Sequence, residues 1–562
     1  MFNFPDPKTT DPKKRRIQRM LEVIPGILTW ATLIGMFVFS FLLPVYVAIF
    51  IIVFDIYWIY RTIFIAYYSV AGYRKLKEGK EIDWWERCQN IMHPENYIKI
   101  INGRILNMQS SLGESDQLPR REKSILKKEL NRCQEYLEEI REISKIKEQI
   151  LDWREIVHVV LLPTAIEPAE VIEPAIQAIA DSNFPNQQFI ILLATEEREP
   201  EEQRMEKVNY LKNKFQGVFR DFIVTTHIVA GGEMKCKASN ATFAAKELMK
   251  YLDERNIDYK KVLLSNFDCD TVAHPQYFAA LTYAFITEPK RLQFAYQPLP
   301  MYHNNLWDTN AFVRIIVTGS SFWHIFQSTR TEGMVTFASH SESFDTLVKV
   351  GFWPVNIINE DSIIYWKGFS YFNGDYRVKP IHLPVSLDAV LAETYWKTIK
   401  NQYKQKRRWA YGIEHFPTVM RAIVPDKKIS RWKKFTVAFE MLEGHHSWAT
   451  ASVILAILGW LPLIFGGDDF NQSVLAHNLP FITRYLMTLA MCGLVVSMSL
   501  SFLLMPPRPK KYSKWRNFYM IIQWALVPIT APFLGSMPAI DSQTRIMLGK
   551  YFGEFWVTPK KK

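Results

Sequence analysis

The sequence predicts an α/β domain with a Rossmann-like, mostly parallel sheet, joined to an α-helical transmembrane region. Long apolar stretches lie close to both ends of the chain, as transmembrane helices require. Between them, short β-rich apolar runs alternate with helical patterns, which is typical of a sheet covered by helices on both faces. A chain of 562 residues, of which 48% are hydrophobic and 22% charged, has room for both units.

The cysteines and the net charge limit the class of protein. The five cysteines are scattered without paired spacing, which argues against disulfides and zinc sites and favours a reducing cytoplasm for the soluble part. The net charge of +12 comes from basic clusters beside apolar runs, and no basic stretch is interleaved with aromatic residues. We therefore expect membrane lipids with anionic headgroups as partners, and no nucleic acid.

The first apolar stretch, Ile24–Tyr68, is long enough for two spans of about 20 residues each, with Leu43-Pro44 as the break. It predicts a transmembrane helical hairpin. Basic residues flank it at positions 13–19 and 74–77, so the positive-inside rule places both ends in the cytoplasm. The stretch exceeds the apolar region of a signal peptide and lacks a small-residue cleavage site, so we expect it to persist.

Three further apolar stretches follow near the C-terminus: Trp448–Phe465, Leu479–Leu504 and Phe518–Leu534. The loop between the first two has no lysine or arginine, whereas residues 508–516 are rich in both, which predicts that the first loop lies outside and the second inside. Five complete spans would then place the basic residues 560–562 outside, against the same rule. The prolines in and after the last stretch favour a broken or re-entrant segment there.

The segment from about Ser124 to Leu151 precedes the soluble domain. Its apolar side chains recur at three- and four-residue steps amid dense charge, which predicts an amphipathic helix. We expect this helix to pack on the soluble domain, with binding to a partner as the alternative.

The soluble domain is predicted to contain alternating strands and helices. The strands are Ile156–Leu162, Phe189–Leu193, Phe222–Val229 and Lys261–Ser265, and the clearest helices are Glu167–Ala180 and Ala238–Leu252. On such sheets, ligands bind beyond the carboxyl ends of the strands. Polar residues follow three of these strands: Thr164 and Glu167, Glu196, and Asp268 with Asp270.

The acidic turn Asp268-Cys269-Asp270 directly follows the fourth predicted strand. Two carboxylates one residue apart can share Mg²⁺ or Mn²⁺ through oxygen ligands and leave other positions for diphosphate oxygens. The same pattern also occurs as an ordinary solvated turn. Its position after a buried strand favours the metal site.

Two later motifs supply further chemistry. Asn359-Glu360-Asp361 offers an acid that can take a proton from a hydroxyl. In Gln405-Lys406-Arg407-Arg408-Trp409, a cation can hold diphosphate charge and the indole can stack on a sugar ring. Helix capping and an ordinary interfacial basic-aromatic cluster are the alternatives. The occurrence of all three motifs in order within one domain favours the chemical interpretation.

The motifs between Val157 and Trp409 resemble family-2 glycosyltransferases of the cellulose synthase and hyaluronan synthase type, which join a GT-A catalytic domain to transmembrane helices. The resemblance implies that Asp268 and Asp270 hold the metal and the nucleotide diphosphate. Glu360-Asp361 matches the family's Thr/Ser-Glu-Asp motif, which implies Asp361 as the general base.

The resemblance extends to both sides of these acids. Gln405, Arg408 and Trp409 match the family's Gln-x-x-Arg-Trp motif completely, which implies that they contact the acceptor and the diphosphate, together with Glu360. The stretch around Lys237 and Asn240 is similar to the family's Lys-Ala-x-x-Asn segment. This implies that Lys237 and Asn240 line the nucleotide pocket. We expect Thr164 and Glu167, which follow the first strand, and Asp268 to contact the nucleotide sugar as well.

The sequence departs from the family in two places. An aspartate usually reads the nucleotide base after the second strand, whereas this chain has Ala194-Thr195-Glu196-Glu197, and we expect Glu196 to replace it through its longer reach. Residues 337–342, Phe-Ala-Ser-His-Ser-Glu, lack the glycine-rich character of an acceptor-binding loop in cellulose synthases. A UDP-sugar is the expected donor, and the acceptor stays open.

These motifs predict a metal-dependent, inverting hexosyltransferase of the cell (inner) membrane with its catalytic domain in the cytoplasm. The expected reaction moves a sugar from a nucleotide sugar to a growing polysaccharide, with export of the product. Transfer of one sugar to a lipid-linked acceptor of the polyprenyl phosphate type is the alternative. A catalytically inactive scaffold or transporter is a third hypothesis, which the presence of Asp268, Asp270 and Asp361 disfavours.

The predicted organisation has seven parts. They are a cytoplasmic basic N-terminus (1–23), a transmembrane hairpin (24–68), a cytoplasmic helical linker (69–151), the glycosyltransferase domain (152–416), interfacial helices (417–446), C-terminal transmembrane helices (447–540) and a tail (541–562).

Overall fold

The computed structural model describes residues 2–113 and 119–553. The chain begins with two long helices, α1 (Pro12–Leu42) and α2 (Pro44–Glu81), which only Leu43 separates. Proline disfavours a helical conformation in the residue before it, so the helices part at the predicted Leu43-Pro44 break. Three helices then lead to the soluble domain: α3 (Trp84–Asn90), α4 (Pro94–Gly113) and α5 (Arg120–Ser144).

The predicted amphipathic helix is α5. It buries Tyr136, Leu137, Ile140 and Ile143 in the same core as one face of the sheet, so it packs on the soluble domain as expected. It ends at Ser144, before the predicted end at Leu151. No glycine or proline marks this end in the sequence, and a single 3₁₀ turn, Lys147–Gln149, follows.

The four predicted strands are confirmed with small shifts at their ends. They are β1 (Val157–Pro163), β2 (Phe189–Glu196), β3 (Asp221–His227) and β4 (Val262–Asn266), and they form one parallel block in the order β3-β2-β1-β4. The helices between them are α6 (Ala169–Ala180), α7 (Glu201–Lys214) and α8 (Lys237–Glu254). Every residue of β1, β2 and β4 is buried, which explains their continuous apolar character.

The sheet continues through four strands that the sequence did not reveal, in the full order β3-β2-β1-β4-β7-β6-β8-β5. They are β5 (Val272–Ala273), β6 (Phe294–Met301), β7 (His340–Ser343) and β8 (Arg377–Ser386), with helices α9 (Tyr277–Ile286), α10 (Ala311–Gln327), α11 (Phe344–Val350) and α12 (Glu360–Tyr371). The strand β7 runs antiparallel to both β4 and β6. It escaped prediction because its sequence, His-Ser-Glu-Ser, is polar although all four residues are buried.

Helices cover both faces of this mixed sheet. Alternate residues of β1 point into two separate cores, one shared with α6 and α9 and the other with α8 and α12. Because β7 is antiparallel, its first residue, His340, pairs with Asn266 at the carboxyl end of β4. One edge of the sheet therefore gathers the residues that follow β1, β2 and β4 with those that begin β7.

The chain ends in a helical region. Its elements are α13 (Tyr395–Ala410), α14 (His415–Ile423), α15 (Arg431–Ala456), α16 (Leu461–Phe465), α17 (Gly467–Asn471), α18 (Val474–Leu504), α19 (Trp515–Ile522), α20 (Val527–Thr530) and α21 (Met537–Met547). Four helical segments in the described chain are long and apolar enough to span a membrane: Pro12–Leu42, Pro44–Glu81, Val474–Leu504 and Trp515–Met547. A fifth span is available if Arg431–Ala456 and Leu458–Phe465, which are bent by 50°, form one.

The last apolar segment is helical but irregular. It includes a 3₁₀ stretch, Gln523–Leu526, just before Pro528, and a π-helical stretch, Ala531–Ser536, that contains Pro532. Each proline removes a backbone donor, which favours such local changes of hydrogen-bond pattern. The orientation of the spans stays a prediction. Residues 554–562 of the predicted tail, which include the basic residues 560–562, lie outside the described residues.

Candidate active site

The centre of the site is a cluster of three carboxylates around one ammonium group. Lys237 Nζ lies 2.8 Å from Asp268 Oδ1, 3.0 Å from Glu360 Oε1 and 3.2 Å from Asp361 Oδ1. Lys237 is 31 to 124 positions from these acids in sequence, and the sheet edge brings them together. Four of the predicted site residues therefore converge at one point.

Three elements position this cluster. Asp268 follows β4, Lys237 begins α8, and Glu360 and Asp361 form the first turn of α12. Ser239 anchors the start of α8, since its hydroxyl donates to the Met234 carbonyl at 2.7 Å. The positive end of the α12 dipole favours the carboxylates at its N-terminus.

Burial and mutual charge shift the pKa of the groups in the cluster. Burial opposes the charge on Lys237, but Asp268, Asp361 and Glu360 outweigh it and hold the pKa of the ammonium well above its ordinary value. Burial and the neighbouring Asp361 raise the pKa of Glu360 to about 7. Lys237 therefore stays charged, and the cluster carries an excess of acidic groups at neutral pH.

The acidic turn is fixed by backbone and side-chain contacts. Asp270 Oδ2 accepts a hydrogen bond of 2.8 Å from the Asp388 backbone N–H, and the Asn304 amide donates to the Asp270 carbonyl at 3.0 Å and to Asp388 Oδ1 at 2.8 Å. Thr271 Oγ1 lies 2.7 Å from Ser339 Oγ on the neighbouring segment. The two carboxylates of the turn are thus held in fixed directions.

Ser339 has a left-handed backbone, with φ of 63°. Glycine adopts this region without steric cost, whereas other residues pay a penalty there. The chain therefore turns here as a glycine-containing loop would, which accounts for the missing glycine in residues 337–342. The serine hydroxyl offsets the cost by its bond to Thr271 and by accepting the Asp268 N–H at 3.4 Å.

The helix α13 brings the Gln-x-x-Arg-Trp residues to the cluster. Burial lowers the pKa of Arg408 while Glu360, Asp268 and Asp361 oppose that shift, so its guanidinium lies within the field of these acids. The Asn359 amide donates to the Arg408 carbonyl at 3.1 Å, which ties α13 to the start of α12. Gln405 is buried and accepts a bond of 3.1 Å from Gln402.

Trp409 lies between the site and the helical region. Its ring centroid is 6.1 Å from that of Tyr302, and Lys406 Nζ lies 4.7 Å above the indole. The indole packs against an apolar cluster that also contacts Met505, the residue after α18. These two rings form an aromatic wall, in which Tyr302 is close enough to act on the charge of Arg408 and Trp409 packs near Met505.

Two residues predicted for the nucleotide pocket, Asn240 and Glu167, lie at the same edge of the sheet and form hydrogen bonds with backbone groups. Asn240 has no exposed surface, and its amide donates to the Thr164 carbonyl at 3.2 Å and to the Ala194 carbonyl at 2.9 Å. Glu167 accepts the backbone N–H groups of Ala165 at 2.7 Å and Ile166 at 3.2 Å. Both residues shape the ends of β1 and β2, and their contact with a nucleotide stays a prediction.

Glu196, which the sequence predicts as the base-reading residue, ends β2. It is buried, and Arg198 donates to its carboxylate at 3.0 Å. Burial raises the pKa of this carboxyl to about 7, although Arg198 opposes the shift. The carboxylate is thus engaged by a neighbouring cation, and its role in base recognition stays a prediction.

Replacing Asn240 by alanine is expected to destabilise the protein by about 2 kcal/mol, because two buried carbonyl groups lose a donor. Thermal unfolding in detergent would measure the change, with Lys246→Ala, at an exposed position of the same helix, as the control. Unchanged stability with weakened nucleotide binding would instead assign Asn240 to the nucleotide pocket.

Several residues of the site were missed by sequence reasoning. They are Ser339, His340 and Glu342 at β7, and Asn304 and Asp388 beside the acidic turn. The signal for the first group was present, since a His-Ser-Glu-Ser stretch between aromatic residues is unusual for a strand. Asn304 and Asp388 carry no comparable signal.

The match to a known family concerns the second half of the sheet domain and the helices that follow. Residues 266–537 match the family described as "Glycosyl transferase family group 2". This region spans just under half of the chain and contains Asp268, Asp270, Glu360, Asp361 and the Gln-x-x-Arg-Trp residues. A search of curated proteins gives no match. The match supports a family-2 glycosyltransferase, and the narrower likeness to cellulose and hyaluronan synthases stays a prediction.

Two of the solved structures that resemble the chain have bound nucleotide sugars. The mannosyltransferase PcManGT from Pyrobaculum calidifontis, in complex with GDP-Man and Mn²⁺, is 15% identical with a TM-score of 0.37, over 60% of this chain and 86% of that chain. The 1–349 fragment of S. aureus TarS, in complex with UDP-GlcNAc, is 10% identical with a TM-score of 0.34. The match covers 71% of this chain and 93% of that chain. Likenesses this weak do not indicate the donor, metal or acceptor of this chain.

Proposed function

We propose that the chain is a membrane-bound, inverting family-2 glycosyltransferase that moves a sugar from a nucleotide sugar to a growing polysaccharide, with export of the product. A UDP-sugar is the expected donor, and the cytoplasmic face of the cell membrane is the expected place. The meeting of Asp268, Glu360 and Asp361 around Lys237 carries the proposal, and all three acids belong to the region of the family match.

The proposed reaction is a single displacement. Asp361 takes the proton of the acceptor hydroxyl, and the hydroxyl oxygen forms a bond to the anomeric carbon as the bond from that carbon to the diphosphate breaks. Attack from the side opposite the leaving group inverts the anomeric configuration. Lys237 and Arg408 supply positive charge where negative charge develops on the departing diphosphate.

The chemistry of the donor set fits Mg²⁺ or Mn²⁺. Asp268 and Asp270 offer hard carboxylate oxygens on a fixed turn, and the cluster beside them has an excess of acidic groups. Within residues 2–113 and 119–553, no group of three histidine, cysteine or acidic side chains is arranged to hold a metal, so nucleotide phosphates are expected to complete the coordination. When bound, the ion supplies positive charge to the diphosphate.

The aromatic wall favours a polysaccharide as acceptor. Trp409 and Tyr302 lie beside Arg408 and Met505, where a sugar ring can stack as the chain extends. Single transfer to a polyprenyl-phosphate-type lipid is the second candidate. The small number of spans in the described chain, four or five, favours it, since few helices are available to line an export path.

The test is transfer from labelled nucleotide sugars by the purified protein in detergent, with Mn²⁺ or Mg²⁺. A ladder of polymers supports the proposal, and one lipid-extractable product supports the second candidate. Absence of transfer, together with absence of metal-dependent UDP binding in calorimetry, would favour an inactive scaffold or transporter.

Replacing Trp409 by alanine is expected to lower transfer to a sugar acceptor roughly tenfold, because a stacking surface is lost. Donor binding should persist, and Trp409→Phe should restore most of the activity. Trp396→Ala is the control, since Trp396 belongs to the same helix and is 76% exposed. Equal activity of the alanine variant and the wild type would show that Trp409 does not bind the acceptor sugar.

A further inference from the structure

Behind Asp361 lies a buried row of titratable side chains that the reaction above does not use. The imidazole of His340 has no exposed surface, and its Nδ1 lies 2.9 Å from the Phe337 carbonyl and 3.8 Å from Asp361 Oδ1. Its Nε2 lies 3.6 Å from Oε1 of Glu342, which is also buried. Tyr376 donates to the other oxygen of Glu342 at 3.3 Å.

The strand β7 explains this arrangement. His340 and Glu342 are two residues apart, so their side chains point to the same face of the sheet, which α12 covers. Asp361 is in the first turn of α12 and thus meets the beginning of β7. The imidazole consequently lies between two carboxylates in a region closed to water, where an unpaired charge would be costly.

The charges that face His340 are mainly negative. Glu342 comes from β7 itself and Asp361 from α12, while the Phe337 carbonyl precedes the strand. Burial lowers the pKa of the imidazole, but Glu342 and Asp361 outweigh it and raise the pKa above its ordinary value. Three further titratable groups act on these carboxylates: Lys237 of α8 on Asp361, and Tyr376 and Lys367 on Glu342.

We propose that His340 and Glu342 are a positioning pair for Asp361, in which Glu342 keeps the imidazole protonated and the imidazolium orients the general base. The inference rests on the proposed function, because it names the residues that position the general base of that reaction. It concerns two residues that the family motifs quoted above do not include.

The geometry shows how the pair acts on the base. Lys237 and His340 both approach the same oxygen of Asp361, Oδ1, at 3.2 Å and 3.8 Å. In the proposed reaction, Oδ2 is left to take the proton of the acceptor hydroxyl. The imidazolium beside Oδ1 attracts this oxygen and so holds the carboxylate in one direction.

The variants His340→Gln and Glu342→Gln test the pair through the pH dependence of kcat/KM. Each change removes the positive charge beside Asp361 or the group that maintains it, so the carboxylate is held less firmly. We expect kcat/KM of each variant to lie about tenfold below the wild-type value at acidic pH, and close to it at alkaline pH, where the wild-type imidazolium has lost its proton. The KM for the nucleotide sugar should not change, and the double variant should resemble either single variant.

Ser341→Ala is the matched control. Ser341 is buried in the same strand between the two residues, but it faces the other side of the sheet, where its hydroxyl lies 2.7 Å from Ser265 Oγ and 2.9 Å from the Tyr277 hydroxyl. Its loss perturbs the packing of β7 without touching Asp361. An active wild type whose kcat/KM at acidic pH falls in neither glutamine variant, or falls equally in Ser341→Ala, overturns the pair and leaves the proposed function intact.

A wild type that transfers no sugar contradicts the proposed function, and the pair is then judged by stability. A histidine whose pKa is raised in the folded state contributes stability that is complete below its unfolded pKa of about 6.5 and is lost as the pH rises through the folded value. The melting temperature of the wild type should therefore exceed that of His340→Gln by more at acidic than at alkaline pH. A difference that is constant with pH overturns the protonated pair.

Discussion

Replacement of Asp361 by asparagine is expected to lower sugar transfer by roughly 10²–10⁴-fold, the usual contribution of a general base. Asparagine keeps the size of the side chain and can still accept a hydrogen bond from Lys237, so the cluster should remain assembled. It cannot take a proton from the acceptor hydroxyl. The loss should appear in kcat with each active nucleotide sugar, while the affinity for UDP and Mn²⁺ in calorimetry stays close to that of the wild type.

The interpretation of this variant depends on correct folding. Removing one of three carboxylates around Lys237 relieves like-charge repulsion, so we expect unchanged or slightly higher thermal stability. Asp181→Asn, an exposed change at the end of α6, controls for the loss of one negative charge. Full transfer by folded Asp361→Asn would exclude Asp361 as the base and leave Glu360, whose pKa of about 7 also suits proton transfer, as the next residue to test.

The parallel half of the sheet was predictable because its strands are buried on both faces. Such strands have continuous apolar sequences with polar residues immediately afterwards, and both signals are visible in the sequence around Val157–Pro163 and Val262–Asn266. The antiparallel strand β7 gives neither signal. Two of its buried polar side chains bond to distant segments, Ser341 to Ser265 and Glu342 to Tyr376, and a sequence does not show these contacts.

The same reasoning separates the predicted site residues from the missed ones. Asp268, Asp361 and Arg408 belong to motifs whose residue types and order are enough to imply chemistry. The supporting residues act through backbone atoms or through one long-range neighbour, as the Asp388 N–H does on Asp270. Asn240 shows the opposite case. The sequence predicts it for the nucleotide pocket, and in the structure its amide donates to carbonyl groups at the ends of β1 and β2.

Replacement of Asp270 by asparagine is expected to remove most metal-dependent activity, with a fall of about 10²-fold or more at a fixed low concentration of Mn²⁺. The amide keeps an oxygen that can accept the Asp388 N–H, so the turn should retain its shape. It supplies a weaker, neutral ligand, which lowers the affinity for a hard divalent cation. Activity should therefore recover in part as the Mn²⁺ concentration rises, which distinguishes a lost ligand from a misfolded turn.

Asp268→Asn should show a related but distinct phenotype, because Asp268 also pairs with Lys237 at 2.8 Å. Its loss weakens the metal site and frees the ammonium from one of three partners, so donor affinity and its metal dependence should both change. Asp375→Asn, at a surface carboxylate that pairs with Lys290 and Arg377, should behave as the wild type. Direct Mn²⁺ binding, measured by electron paramagnetic resonance with UDP present, is independent of turnover. Equal Mn²⁺ binding by the wild type, Asp268→Asn and Asp270→Asn would show that the acidic turn does not hold the metal. Lys237 and Arg408 would then be the groups that neutralise the diphosphate charge.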